Sequence, residues 1–136
     1  MVTVDLIVLL DGGFLMLKRL NNPEKGGWWL PGGRIKKGET LEKAAIRKAK
    51  EELGMKVKVE KYVGVYELMF PKGQFDISNT HNVDFVFVLK TTEKWRGAPV
   101  KSSHRDYSDW KICKTIDKKW HPMLRRILKD AGFAKK

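Results

Sequence analysis

A single cysteine, Cys113, stands among 136 residues. It can neither close an intrachain disulfide nor build a cysteine zinc site, and its isolation fits a reducing compartment such as the cytoplasm. Long apolar runs are missing too. The stretch Leu6 to Leu10 falls far short of the about 18 residues that a membrane span requires, and no charged leader with a cleavage site precedes it. The expectation is a soluble, unprocessed, cytoplasmic chain with no membrane partner. Acidic residues are scarce beside basic ones, 16 against 28, for a formal charge of +12. A field of that size attracts anions. Much of the excess is lysine, including Lys36, Lys37, Lys43, Lys48, Lys50, Lys56, Lys58 and Lys61, spread over several segments rather than gathered in one block. That spread reads as a solvated Lys- and Glu-rich surface rather than a nucleic-acid patch, and no arginine–aromatic pattern of an RNA module is visible.

The material for a core is present. Five Trp, six Phe and many Val, Leu and Ile support one domain over residues 1–136. Val2 to Leu10 and Phe14 to Arg19 read as a strand hairpin turned at Asp11-Gly12-Gly13, with Asp5 interrupting the first apolar run. Turn formers from Asn21 to Gly27 lead to a short strand, Trp28-Trp29-Leu30, expected to stop at Pro31-Gly32-Gly33. Thr40 as N-cap and Gly54 past the last turn bracket a helix over Leu41 to Leu53. On its wheel Ile46, Ala49 and Leu53 form the expected core side, while Arg47, Lys48, Glu51 and Glu52 form a polar face. Further strands are expected at Lys56 to Glu60, Tyr62 to Phe70, Asn82 to Lys90 and Tyr107 to Ile112, with a closing helix from Asp117 to Ala131. Trp28, Trp29, Tyr66 and Phe70 read first as core aromatics, with base stacking as the second reading.

Glu51 and Glu52 lie at the C-terminal end of that helix, where carboxylates are disfavoured unless a cation compensates them. A hard divalent cation such as Mg²⁺ is typically held by one or two carboxylates and substrate phosphates, and a carbonyl of the Gly32-Gly33 turn could add a third oxygen. The segment Gly33 to Met55, GRIKKGETLEKAAIRKAKEELGM, resembles the Nudix box, G-x5-E-x7-R-E-U-x-E-E-x-G-U with U aliphatic. The match runs through Gly33, Glu39, Arg47, Ala49, Glu51, Glu52, Gly54 and Met55. One box residue is absent: Lys48 stands where the first glutamate after the arginine belongs. The resemblance implies an α+β Nudix fold, a mixed sheet sandwiched between helices. It also implies Mg²⁺-dependent hydrolysis of a nucleoside diphosphate linked to another group, with Mn²⁺ able to substitute, and a mainly structural role for Glu39 and Arg47.

Lys48 sits one turn before Glu52, so its ammonium can reach that carboxylate. It also raises the question of where the catalytic base lies. His104, in Lys101 to Tyr107, offers an imidazole suited to accepting a proton near neutral pH. The stretches Lys18 to Pro23, Gly27 to Arg34 and His104 to Tyr107 are similar to the GDP-mannose mannosyl hydrolases, a Nudix branch with an altered box and a histidine base. That resemblance implies His104 and Glu52 as catalytic and Asp5, Arg19, Arg34, Arg47 and His81 as substrate-binding. Gly32 and Glu52 would be metal ligands, and a homodimer is expected. Ser103 replaces the glutamine that the branch carries before its histidine, and Glu51 would compensate for it. Water activated by His104 would then attack the anomeric carbon, releasing the nucleoside diphosphate. Two alternatives stay open: attack on phosphorus of a nucleoside triphosphate or nucleotide sugar, and a catalytically impaired domain that binds nucleotides or RNA.

Overall fold

The computed structural model describes residues 1–20, 27–70, 80–95, 97 and 107–135, with the backbone alone at residues 70 and 80. His104 and Ser103 lie outside the described residues. In chain order the elements are β1 (Val2–Leu10), β2 (Gly13–Arg19), β3 (Trp28–Trp29), β4 (Gly32–Arg34), α1 (Leu41–Leu53), β5 (Val57–Phe70), β6 (Thr80–Thr91), β7 (Tyr107–Cys113) and α2 (Pro122–Asp130).

The first two strands pair antiparallel through Leu9–Phe14 and Leu10–Gly13. Between them Asp11 and Gly12 both take positive φ, 47° and 79°, the two-residue turn that suits the twist of a hairpin. β1 also runs parallel to β6 and antiparallel to β4, so the sheet is mixed, in the order β3-β2-β1-β6-β5 with β4 on β1 and β7 on β2. Because β1 is central, both of its faces are buried and its sequence is nearly continuous in apolar residues. Val4, Leu6 and Val8 pack with Ala44, Ala45, Ala49 and Leu53 of α1. Ile7, on the opposite face, packs with Trp29, Tyr66, Val86 and Leu124, Ile127 and Leu128 of α2. One helix thus covers each face, giving the α/β/α sandwich expected from the sequence.

The structure corrects several details. The strand from Trp28 does stop before Pro31, as expected, but Gly32–Arg34 adds a separate strand, β4, with Gly32 opposite Asp5 and Gly33 opposite Val4. The two strands expected between Lys56 and Phe70 are one strand, β5, whose register against β6 shifts at Glu60 and again at Val63. Each bulge breaks the alternation of sides, which makes one strand read as two. α2 starts at Pro122 rather than Asp117, because proline cannot extend a helix backwards but suits its first turn; His121 caps it, accepting from Met123 N at 3.1 Å. Trp29 and Tyr66 are core residues as expected, and Trp28 packs partly buried against them.

α1 begins and ends where its caps place it. Thr40 Oγ1 accepts from Lys43 N at 3.2 Å, and Gly54 takes the left-handed φ of 63°. Its buried face differs from the expected one: Ile46 is 40% exposed, while Ala44, Ala45, Ala49, Glu52 and Leu53 are buried. At 3.6 residues per turn this buried arc is centred near Ala45 and Glu52, and Ile46 falls beyond its edge. Lys48 therefore belongs to the inward side of the helix rather than to a solvated polar face.

Candidate active site

The C-terminal half of α1 lies against the glycine turn of β4, and three acidic and two basic side chains meet there. Arg47 uses every guanidinium nitrogen within the protein. Nε donates to Glu39 Oε2 at 2.7 Å, Nη1 to Glu51 Oε1 at 2.9 Å, and Nη2 to Glu39 Oε1 at 3.0 Å and the Arg34 carbonyl at 2.9 Å. Glu39 Oε1 also accepts from Lys36 N at 3.0 Å. This planar fork ties the loop before α1 to the helix and to β4. The hydrogen bond from Arg47 holds the Glu39 carboxyl at about 2, well below its usual 4.5, and the same bond raises the Arg47 guanidinium.

Lys48 fills the space beside the turn. Its ammonium lies 3.0 Å from Glu52 Oε1 and 3.9 Å from Glu51 Oε2, and the side chains of Lys48 and Glu52 are only 12% and 5% exposed. The lysine stem crosses Gly33 so closely that a Cβ there would overlap Lys48 Cε. Gly32 is constrained from the other side, where a Cβ would run into the Val4 carbonyl and the Asp5 carboxyl. The two glycines therefore let the backbone pass between Asp5 and Lys48.

The last turn of α1 is anchored by side chains from elsewhere in the chain. Tyr107 Oη, at the start of β7, donates to the Glu52 carbonyl at 2.8 Å, and Trp95 Nε1 donates to the Leu53 carbonyl at 2.7 Å. Both satisfy carbonyls that a helix end leaves without intrahelical partners. Neither contact could be read from spacing along the sequence.

The other expected residues occupy different surroundings. Asp5 is buried on the α2 side of β1, where Trp29 Nε1 donates to its Oδ2 at 3.0 Å. It contacts a second buried carboxyl, Asp84 of β6, which accepts from Thr3 Oγ1 at 2.7 Å. Among the described residues no hydrogen-bond partner faces Asp84 Oδ2, and two buried carboxyls in contact disfavour a second negative charge. Burial raises both carboxyls, Asp84 well above its usual range, and the adjoining Asp5 charge raises Asp84 further; the Arg19 charge pulls Asp5 down. Sequence reasoning passed over Asp84, although it interrupts an apolar strand just as Asp5 does. Arg34 lies exposed on β4, and Arg19 ends β2 opposite Tyr107. His81 lies across β1 from the glycine turn, exposed, with Nε2 2.7 Å from Glu67 Oε2. The structure thus brings Gly32, Arg47, Glu51 and Glu52 into one region, with Asp5 behind the turn, and leaves His81 outside it.

Among the described residues, Glu39, Glu51 and Glu52 against Arg47 and Lys48 give the α1 cluster one net negative charge. Among the described residues no group of three or more His, Cys, Asp or Glu side chains could hold a metal ion. Two adjacent carboxylates suit a hard cation that completes its shell with water and substrate oxygens, the usual mode for Mg²⁺. Glu51 and Glu52 fit that mode.

A helix closing over a glycine turn of a mixed sheet, with an Arg–Glu tie and paired carboxylates at its end, defines a Nudix architecture. The NUDIX domain model matches residues 1–130, and the chain belongs to the Nudix family. Over 91 residues, 67% of this chain, it is 38% identical to the low-salt glycan biosynthesis protein Agl8 of Haloferax volcanii. Over 90 residues, 65% of the chain, it is 42% identical to the ADP-ribose pyrophosphatase of Methanocaldococcus jannaschii. The matched stretches span about half of those proteins, 55% and 49%. The MutT NUDIX hydrolase from Burkholderia pseudomallei shares the fold, with a TM-score of 0.70 at 22% identity over 95% of each chain. A NUDIX hydrolase from Nitrosomonas europaea does so at a TM-score of 0.67 and 18% identity, over 98% of this chain and 90% of that one.

Proposed function

We propose that this chain is a single-domain, cytoplasmic, Mg²⁺-dependent Nudix hydrolase of a nucleoside diphosphate linked to another group, most specifically a nucleotide sugar such as GDP-mannose. Glu51 and Glu52, with the Gly32 carbonyl, would hold the ion, which supplies positive charge to the departing diphosphate. Mn²⁺ would serve in its place. His104 takes a proton from water, the water oxygen bonds to the anomeric carbon, and the bond from that carbon to the diphosphate oxygen breaks. The nucleoside diphosphate leaves with the electron pair, and the free sugar is the second product. Arg19 and Arg34 offset the charge of the leaving group. Asp5 and His81 orient the substrate, and Arg47 keeps the loop on the helix.

The observation that carries this reading is the hydrogen bond from Tyr107 to the Glu52 carbonyl. His104 lies three residues before Tyr107, a tether of at most about 10 Å. The Tyr107 bond sets the start of β7, the strand that follows His104 in the chain, against the helix end that carries the proposed metal ligands, and this supports the reading. The names of two relatives agree with the substrate class, one from glycan biosynthesis and one acting on ADP-ribose. The second of those names also supports the rival reading, in which water attacks phosphorus and a nucleoside monophosphate is released. The test is a panel of nucleotide sugars and nucleoside triphosphates with Mg²⁺, with products separated. Nucleoside diphosphate and free sugar are expected; a nucleoside monophosphate and a sugar phosphate favour the rival.

The protein would act as a homodimer. Exposed Tyr62, Val65 and Met69 on the edge strand β5, with Val83 beside them on β6, supply apolar surface for such contact.

A further inference from the structure

Lys48 occupies a position that ordinary surface lysines do not. Its side chain is 12% exposed, its stem lies across Gly33, and its ammonium is 3.0 Å from a carboxylate that is itself 5% exposed. A lysine normally keeps its charge in water, and a largely buried ammonium persists when a carboxylate compensates it. Here that partner is Glu52, one of the two carboxylates offered to a divalent ion. Among the described residues the cluster's remaining charge, one net negative, suits a single divalent ion with an anionic substrate. With a glutamate at position 48 the same cluster would carry three net negative charges and would suit two.

We infer that Lys48 is a tethered cation that takes the place of a second divalent ion beside Glu52, so that each chain binds one divalent ion and the ammonium supplies further positive charge toward a diphosphate. Gly33 permits this placement, because its bare Cα gives the lysine stem its course to Glu52. The inference rests on the metal-dependent reading above, but not on whether water attacks carbon or phosphorus.

The test is Mn²⁺ binding to the free protein, followed by electron paramagnetic resonance without substrate. Wild type binds one Mn²⁺ per chain. Lys48→Met keeps the stem on Gly33 but removes the charge, and it tightens that binding by roughly tenfold or more, as expected for losing a cation at this distance. Lys48→Glu adds a second Mn²⁺. Gly33→Ala displaces the stem while leaving the composition of charges intact, so it tightens Mn²⁺ binding in the same direction and guards against a folding defect in either lysine variant. Two or more ions on wild type, or unchanged binding in all three variants, overturns the role of Lys48 and leaves metal dependence standing. No Mn²⁺ on any of the four proteins overturns the metal-dependent reading and this inference with it.

Discussion

At the scale of single residues, the site separates charges that hold the fold from charges available for chemistry. Arg47 has every nitrogen committed to Glu39, Glu51 or the Arg34 carbonyl, so its first role is structural. His104 carries the proposed proton transfer, and His104→Gln is expected to lower kcat by roughly 10² to 10⁴ with the fold intact by circular dichroism. Normal turnover by that variant would remove the histidine from the mechanism. The Asp5–Asp84 pair makes a separate prediction. Because burial raises Asp84 above its ordinary 3.8, its contribution to stability is complete below about that pH and is lost as pH rises through the raised value. Asp84→Asn keeps an N–H to donate to Asp5 and removes the second charge. Thermal unfolding from pH 4 to 8 should therefore show the variant gaining on wild type as pH increases. A gap that stays constant with pH would mean that the pair holds no shared proton.

At the scale of elements, α1 shows what the sequence revealed and what it hid. Its length was legible because Thr40 and Gly54 act through backbone geometry next to them in the chain. Removing the cap hydroxyl by Thr40→Ala should cost about 1 kcal/mol, seen as a fall of a few degrees in the unfolding midpoint; an unchanged midpoint would show that the cap contributes nothing. The inward side of α1 was harder to read, because Ile46 is apolar yet exposed, whereas Glu52 is charged yet buried. Tertiary pairing decides that pattern: Lys48 neutralises Glu52, so a polar pair takes a place that hydropathy alone assigns to an apolar residue. The same limit explains β4 and β5. Two glycines read as a terminator pair with β1, their bare Cα atoms fitting where Asp5 and Lys48 leave no space for a Cβ, and two bulges hid the continuity of β5. Asp84 and Tyr107 were passed over as site residues because their partners lie 79 residues (Asp84–Asp5) and 55 residues (Tyr107–Glu52) away along the chain.

At the scale of the whole molecule, a mixed sheet sandwiched between helices was legible only through the resemblance to the Nudix box, while the strand signals located most of its strands. No helix among the described residues is long and apolar enough to cross a membrane. The charge of +12 suits an anionic substrate, and its lysines are largely dispersed over exposed positions. Association was not legible, since an exposed apolar strand face appears only once β5 and β6 are paired. Light scattering on the eluted protein should give about twice the 15.7 kDa of one chain, and Val65→Glu should bring it toward one. A monomer at micromolar concentration would reject the proposed dimer.

The proposed chemistry turns on which atom water attacks. Turnover of GDP-mannose with Mg²⁺ in oxygen-18 water, followed by mass spectrometry of both products, decides it. Label in the free mannose, with unlabelled GDP, is the predicted result; label in a phosphate product would contradict attack at the anomeric carbon.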